Sequence, residues 1–377
     1  MRILKRLPTA SILVVVAVAA SAAGAQQSQR REEEGVTRGL DAAQKAQTAS
    51  AKGKWEPAKA FPMPMEEPVG VAVDGKLYVI QGLTDGGFQP MGVVYVFDPA
   101  SGEWTKRNPM PLALHHAMTT VHNGKIYVFG GFSRPGRELA WQPVDNAWEY
   151  TPETDSWKTL SPLPTRRGAG GAAVVDGKIY VVGGASTLPG ASDPAIRFDG
   201  QPRDSVLGIN EEYDPATNTW RSRAPMPTAR NHFLTAAVNA RIYTIGGRLG
   251  STFITRSSNT EVTEEYDVAK DLWTTKAPMP TARSGVAGGV YNGKIYVAGG
   301  EFQNDKIMAA FRAFEAYDPA GNSWDGALPR MRIPRHGFAG AVIGDRLHVV
   351  AGGIQTAGIP GAAIYTDTHD VFDFTKN

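Results

Sequence analysis

Residues 123–131 read NGKIYVFGG and residues 292–300 read NGKIYVAGG, so the two stretches differ at a single position. Each opens with the Asn-Gly pair that two-residue hairpin turns prefer, continues as an apolar strand and ends in two glycines. Related stretches stand at 76–82 (KLYVIQG), 178–184 (KIYVVGG), 241–247 (RIYTIGG) and 346–352 (RLHVVAG). Six copies of one hairpin pattern predict a repeat protein.

Tryptophan residues mark the period of this repeat. Trp55, Trp104, Trp157, Trp220, Trp273 and Trp324 are 49, 53, 63, 53 and 51 residues apart, and an aromatic residue stands seven positions before each of the last five. Each unit is therefore predicted to contain four antiparallel strands. Two form the hairpin, the third carries the aromatic residue and the fourth opens with tryptophan. Four strands repeated about every 50 residues describe a propeller blade. The sequence predicts an all-β, six-bladed propeller.

The diglycine followed by Tyr and Trp at this spacing resembles the repeat of the kelch family, over residues 55 to about 374. The resemblance implies a six-bladed kelch β-propeller. The last unit contains HDVFDF at 369–374 but no tryptophan, whereas Trp55 has no upstream strands of its own. Because an unpaired sheet edge favours aggregation, we expect the N-terminal strand with Trp55 to close the last blade.

The N-terminus has the pattern of an export signal. A positive start is followed by an apolar run at 12–20 and by Ala-Gly-Ala at 23–25. The run is shorter than the roughly 20 residues that cross a bilayer. We therefore expect a signal peptide at 1–25, cleavage after Ala25, a flexible linker at 26–54 and the propeller at 55–377. The protein would be exported to the periplasm or beyond without a membrane span, and an uncleaved anchor is the alternative.

Composition excludes several classes of protein. The chain has no cysteine, so it forms no disulfide, no thiolate metal site and no cysteine-linked lipid anchor. Lys and Arg number 39 against 37 Asp and Glu, and three of the basic residues belong to the predicted signal peptide. This balance gives no indication of a nucleic-acid partner.

The motif PMPTAR, at 225–230 and 278–283, is predicted to link the outermost strand of one blade to the innermost strand of the next. Its arginine position holds Arg167, Arg230, Arg283 and Arg335 in four units and, in our alignment, Glu67 and Leu114 in the other two, with His115 and His116 beside Leu114. Two interpretations are open. The arginines could ring a mouth of the channel and bind an anionic ligand, since guanidinium groups match carboxylate and phosphate. Alternatively, they could hydrogen-bond carbonyl groups of the neighbouring blade.

Three further positions are candidates for ligand contact. Arg248 and Glu301 are the charged residues that directly follow a diglycine, in adjacent units, and they would either form a salt bridge or contact a ligand. Trp141 lies in the loop after Gly131, where it would stack on a sugar or partner or be buried. The long loop at 185–212 is either a lid or partner contact or a tolerated insertion.

Two enzyme families share this predicted fold. The bacterial sialic acid mutarotases (N-acetylneuraminate epimerases) are exported kelch propellers in which a Gly-Gly-Glu carries a functional glutamate, with an arginine six positions later. Glu301 matches that glutamate and is the weak catalytic candidate, but residue 307 is isoleucine. Galactose oxidase chemistry is excluded, because its cofactor needs a cysteine-linked tyrosine.

The sequence predicts no metal and no cofactor. The seven histidines lack metal-ligand spacing, and adjacent residues such as His115 and His116 face opposite sides of a strand. Glu301 and Glu67 are the carboxylates expected near the arginine positions, which is a poor acid–base set. The sequence therefore favours a binding or scaffold module for a protein or glycan ligand, possibly anionic, at the channel mouth. The alternative is a carbohydrate-active enzyme of the mutarotase or epimerase type.

Overall fold

The computed structural model describes residues 52–84, 89–134, 142–187, 204–250, 258–304, 306–355 and 364–376. The predicted signal peptide and nearly all of the predicted linker lie outside the described residues. All regular elements within these ranges are β-strands. A helix long and apolar enough to cross a membrane is not found among them.

The strands are numbered in chain order. They are β1 Lys54–Pro57, β2 Val69–Val73, β3 Lys76–Ile80, β4 Leu83–Thr84, β5 Gln89–Pro90, β6 Val94–Asp98, β7 Glu103–Lys106, β8 Met118–His122, β9 Lys125–Phe129, β10 Phe132–Ser133, β11 Gln142–Pro143, β12 Ala147–Thr151, β13 Ser156–Thr159, β14 Gly171–Val175, β15 Lys178–Val182, β16 Ala185–Thr187, β17 Asp204–Val206, β18 Asn210–Asp214, β19 Thr219–Arg223, β20 Leu234–Val238, β21 Arg241–Ile245, β22 Thr263–Asp267, β23 Leu272–Thr275, β24 Ala287–Tyr291, β25 Lys294–Ala298, β26 Glu301–Gln303, β27 Met308–Ala310, β28 Phe314–Asp318, β29 Ser323–Asp325, β30 Ala339–Ile343, β31 Arg346–Val350, β32 Gly353–Gln355, β33 Ile364–Tyr365 and β34 His369–Asp373.

Six four-stranded antiparallel sheets form the blades. Numbered from the N-terminus and written from axis to rim, they are β2-β3-β6-β7, β8-β9-β12-β13, β14-β15-β18-β19, β20-β21-β22-β23, β24-β25-β28-β29 and β30-β31-β34-β1. Within the described residues, five two-stranded ribbons each begin directly after a diglycine position: β4-β5, β10-β11, β16-β17, β26-β27 and β32-β33. The predicted all-β, six-bladed fold is confirmed.

The last blade contains both ends of the described chain. Strand β1 pairs antiparallel with β34, with Trp55 opposite Phe372. The Trp55 ring lies 5.2 Å from the rings of both Phe372 and Phe314, and its Nε1 donates to the Pro329 carbonyl at 2.9 Å. The predicted closure of the ring by the N-terminal strand is confirmed.

Repeat residues join one blade to the next. The second residue of every diglycine position is a glycine with φ between 95° and 133°, a region that L-residues rarely enter. Its N–H donates to the carbonyl of the arginine-position residue of the following blade. The six bonds are Gly82 to Leu114, Gly131 to Arg167, Gly184 to Arg230, Gly247 to Arg283, Gly300 to Arg335 and Gly352 to Met65. The last bond links blade 6 to blade 1 and completes the circle.

The innermost strands enclose an axial cavity of about 630 Å³. Small residues let these strands converge: a Cβ added to Gly171 would lie 1.7 Å from Thr235 Oγ1, and one added to Gly70 would lie 2.8 Å from the Gly340 nitrogen. The cavity is therefore narrow, and polar and apolar atoms contribute about equally to its walls. Its ionisable side chains precede the innermost strands and lie at one end; they are Glu67, His116 and His232.

Candidate functional site

The four repeat arginines are each 0% exposed, so they do not line the channel mouth. In Arg283, Nε donates to the Gly299 carbonyl at 2.6 Å, Nη1 to the Thr281 carbonyl at 2.9 Å and Nη2 to the Val297 carbonyl at 3.1 Å. Nη1 also pairs with Glu315 Oε2 at 2.5 Å. The expectation that Arg167, Arg230, Arg283 and Arg335 offer a ring to a ligand is corrected: their donors are turned into the blade.

The hydrogen-bond acceptors of each arginine belong chiefly to its own blade. Carbonyl groups of the neighbouring blade were the acceptors expected from the sequence. Each arginine pairs with a buried carboxylate two positions before the repeat aromatic residue of the same blade. The pairs are Arg167 with Glu211, Arg230 with Glu264, Arg283 with Glu315 and Arg335 with Asp370. A buried carboxylate without its cation is costly, so the two residues depend on each other.

Blades 1 and 2 lack both members of this pair. Glu66 bridges Leu83 as His115 bridges Phe132, which aligns Met65 and Leu114 with the arginines. The assignment of Glu67 to the arginine position was therefore wrong by two residues. The corresponding acidic positions hold Tyr95 and Trp148, so both blades replace the ion pair with apolar and aromatic side chains.

Two positions after the arginine, six residues form a ring around the axis. They are Glu67, His116, Ala169, His232, Gly285 and Gly337, all with φ between 50° and 64°. Five described hydrogen bonds run from the N–H of one member to the carbonyl of the preceding one: Glu67 to Gly337, Ala169 to His116, His232 to Ala169, Gly285 to His232 and Gly337 to Gly285. The polar members bring their side chains to one end of the axial cavity.

Glu67, His116 and His232, from blades 1, 2 and 4, form a compact group that we name the axial triad. His116 Nε2 lies 2.7 Å from His232 Nε2 and 3.1 Å from Glu67 Oε2. One potential metal-ligand atom from each of the three residues lies within 4.8 Å of the other two. His115 contributes from behind, since its Nδ1 contacts Nδ1 of His116.

The prediction that the sequence contains no metal-ligand arrangement missed this group. Strand alternation does not apply to His115 and His116, because His116 has the left-handed φ of 56° and both rings are buried. The second histidine of the triad stands 116 residues away in sequence. Spacing along the chain therefore cannot reveal the group, but alignment two positions after the repeat arginine can.

Asn231 fixes the orientation of His232. Its Oδ1 lies 2.6 Å from His232 Nδ1 and 3.2 Å from Nε of Arg248, while its Nδ2 donates to the Gly250 carbonyl at 2.8 Å. Asn231 Oδ1 therefore accepts a hydrogen bond from the protonated Nδ1 of His232, and Nε2 of His232 faces the axis. Burial, with the charge of Arg248 and the neighbouring histidines, lowers the pKa of His232 well below its usual 6.5.

Glu301 lies at the centre of a second network beside the triad. Its Oε1 pairs with Arg248 Nη1 at 2.9 Å and accepts from Ser284 Oγ at 3.2 Å. Its Oε2 faces His336 Nδ1 at 3.1 Å, and His336 Nε2 faces Glu66 Oε1 at 3.2 Å. The open choice for Arg248 and Glu301 is thus decided in favour of a salt bridge, which is almost fully buried.

Three side chains of these two networks, Glu66, Glu67 and His336, have shifted pKa values. Burial raises the pKa of Glu66 to about 8. Burial opposes ionisation of Glu67 and His336 as well, but nearby opposite charges outweigh it: His116 and His336 lower the pKa of Glu67, and Glu301 and Glu66 raise the pKa of His336. Such clusters are candidate functional sites, because chemistry needs groups whose protonation differs from that in water.

The structure thus brings His115, His116, Arg248 and Glu301 together in one buried cluster and adds Glu66, Glu67, His232 and His336. Contact of these residues with a ligand stays a prediction. Trp141 lies outside the described residues. So does most of the 185–212 loop, whose described parts are the ends that form β16, β17 and the start of β18.

Comparison with known proteins identifies the family. The KLHDC2/KLHL20/DRC7 Kelch-repeats domain matches residues 51–247, and the Kelch motif matches residues 229–280 and 282–326. The chain belongs to the kelch-repeat family. The solved structure of YjhT superposes on this propeller with a TM-score of 0.65 at 18% identity, covering 84% of this chain and 96% of that one, which is a likeness of fold.

Curated kelch relatives match part of the chain. Kelch repeat and BTB domain-containing protein 12 of Homo sapiens is 30% identical over 47% of this propeller chain and 28% of its own length. Kelch-like protein terF of Aspergillus terreus is 30% identical over 58% of this chain and 45% of its own. Beta-scruin of Limulus polyphemus is 28% identical over 60% of this chain and 24% of its own length. The aligned part of the kelch chain thus covers between about a quarter and a half of these relatives.

Proposed function

We propose that this kelch propeller is an exported binding module that holds a partner protein on the face carrying the diglycine ribbons. The observation that supports the proposal is a set of exposed apolar side chains on this face, which we call the patch. Among the described residues, four of the five large hydrophobic side chains that are exposed stand on that face, in blades 4, 5 and 6: Leu249, Ile307, Met308 and Ile364. Monomeric proteins rarely leave such residues grouped at the surface without a use.

The position of the patch supports the same proposal. Leu249 directly follows Arg248, Ile307 directly precedes β27, Met308 begins β27, and Ile364 begins β33. Strands β27 and β32 contact each other, so the ribbons of blades 5 and 6 adjoin. Kelch propellers typically act as protein-interaction modules. An anionic partner loses its original basis, because the repeat arginines are buried within the blades.

A paired substitution tests the proposal. Ile307→Lys with Met308→Lys places two charges in the patch, and Leu272→Lys, on the outermost strand β23, is the control because Leu272 is 56% exposed. Proteins from the native host that the parent chain captures would be quantified by mass spectrometry, and the most enriched one would be purified and titrated. We expect the double variant to weaken binding at least 10-fold and Leu272→Lys to leave it unchanged. Equal binding by both variants would contradict the proposal.

Export is tested separately. The full-length chain expressed in a bacterium with a periplasm should be recovered outside the cytoplasm with Gln26 as its first residue. Recovery of a full-length cytoplasmic chain would overturn the export proposal and leave the binding proposal standing.

A second candidate function is carbohydrate chemistry of the mutarotase or epimerase type in the axial cavity. It is favoured by Glu301, which follows a diglycine and contacts Arg248, Ser284 and His336, the last of which has a raised pKa. It predicts that Thr119→Met, which fills the cavity from β8, abolishes a melting-temperature shift given by sialic acid or neutral sugars. Thr274→Met on β23 is the control. Anomer exchange measured by NMR, lost in Glu301→Gln, would establish the enzyme; no shift with any sugar would reject it.

A further inference from the structure

We propose that the axial triad of Glu67, His116 and His232 binds a divalent transition-metal ion at the polar end of the axial cavity. Two imidazole nitrogens and one carboxylate oxygen are a common ligand set for Zn²⁺ in sites that keep coordination positions open, and for Fe²⁺. The site is independent of the partner protein proposed above, which is assigned to the ribbons.

The hydrogen bonds of the triad show which atoms offer lone pairs. His232 directs its proton-bearing Nδ1 at Asn231, so its Nε2 is an acceptor. Glu67 Oε2 is an acceptor as well. His116 Nε2 lies 2.7 Å from His232 Nε2 and 3.1 Å from Glu67 Oε2, so a proton on that nitrogen can be donated to either of them. A metal ion that displaces the proton would be bound by all three lone pairs, with the proton released to solvent.

Second partners support each ligand. Asn231 holds the His232 ring, and His115 contacts the far nitrogen of His116. Hydrogen bonds of this kind fix the tautomer and direction of metal-binding histidines. Glu67 is seated over Gly337, where an added Cβ would lie 2.5 Å from its Oε1. The glycine therefore leaves the space that the carboxylate occupies.

The fit needs a small adjustment. Bonds of about 2.0–2.1 Å in a tetrahedral site put ligand atoms about 3.3 Å apart, so the two histidine nitrogens would separate by roughly 0.6 Å from their 2.7 Å contact. The axial cavity lies on one side and provides room for further ligands. A second group, Glu66, Glu67 and His336, is also close enough to hold an ion. We assign the metal to the axial triad, because both ring nitrogens of His336 already face carboxylates.

The test uses the full untagged chain, freed of metal with a chelator. Zn²⁺ is titrated by calorimetry, and Co²⁺ binding is followed by its visible absorption. We expect one ion per chain and at least a 100-fold loss of affinity in His232→Gln and in Glu67→Gln. His122→Gln is the matched control, since His122 is the last residue of β8, whereas His116 lies two positions before that strand begins.

Gly337→Ala provides a test that removes no ligand. Ala169 occupies the same ring position with φ of 58°, so the ring tolerates an alanine in this left-handed conformation, but the added methyl group at 337 would displace the Glu67 carboxylate. We expect a 10- to 100-fold weaker site with an altered Co²⁺ spectrum. Absence of Zn²⁺ binding by the parent, or equal binding by the parent and both ligand variants, would overturn the proposal. If a ligand variant does not fold, the Gly337→Ala comparison decides.

Discussion

Two sets of buried polar residues begin at the same point of each repeat and behave differently. The arginine position directs its side chain into its own blade, where three carbonyls and a carboxylate surround the guanidinium of Arg167. Two residues later, the ring position directs its side chain to the axis, where polar groups from different blades meet. The first set is completed within one repeat, whereas the second is completed only by the assembled ring. Repeated polar residues are therefore better candidates for structure, and polar residues that break the repeat are better candidates for function.

The largest expected effect is in the first set. Arg167→Ala leaves Glu211 buried without its cation, and we expect a loss of about 3–5 kcal/mol in the free energy of unfolding. Arg166→Ala is the control, because Arg166 is 68% exposed and pairs with the partly exposed Asp145; its cost should stay below about 1 kcal/mol. Chemical denaturation measures both. A similar small cost for the two variants would show that the buried pair contributes little.

Blade 1 suggests how to repair that loss. The double variant Arg167→Met with Glu211→Tyr copies Met65 and Tyr95, and removes both charges together. Because a buried ion pair is often replaceable by apolar groups at little cost, we expect it to recover at least about 2 kcal/mol over Arg167→Ala. A double variant as unstable as the single one would mean that the carbonyl acceptors, and not the carboxylate, dominate the cost.

Much of the fold could be predicted from the sequence because its determinants recur locally. Each blade is marked in the sequence by an Asn-Gly or similar turn, a diglycine position and a tryptophan at a regular spacing. Trp55 has no upstream strands of its own, which predicted that its strand closes the last blade. The site could not be read in this way. His116 and His232 meet only because blades 2 and 4 converge at the axis, and the left-handed φ of His116 defeats strand alternation. The burial of Arg283 was also not established from the sequence. The position of its partner Glu315, two residues before the repeat tyrosine, could have indicated the buried pair.

An intermediate effect is expected at Glu301, which belongs to the second set. Glu301→Gln keeps the shape but removes the charge shared by Arg248 and His336, and we expect a loss of about 1.5–3 kcal/mol, as for a hydrogen bond to a charged group. Glu103→Gln, on the outer strand β7 with its side chain 59% exposed, is the control. Thermal and chemical unfolding report the loss. If the Glu301 variant were as stable as the control, the contacts of Glu301 with Arg248 and His336 would not contribute to the stability of the folded chain.

Histidines inside a blade test whether the contrast depends on location or on residue type. His348 and His369 of blade 6 lie 2.9 Å apart, and burial lowers their pKa values to about 4 and about 3. The unfolded chain takes up these protons near pH 6.5 and the folded chain does not, so stability is complete above pH 6.5 and falls toward pH 4 by up to about 1.4 kcal/mol per pH unit for each histidine.

His348→Tyr restores the residue that the other five blades have at this position, as in Tyr127 and Tyr296. It should therefore remove one histidine's share of the acid sensitivity without lowering stability at pH 7.5. Denaturation curves of parent and variant at pH 7.5, 6 and 5 measure the difference, which should grow as the pH falls. Parallel curves would show that His348 accepts its proton in the folded blade. Burial beside apolar side chains such as Phe97 would then oppose protonation of this histidine less than its lowered pKa implies.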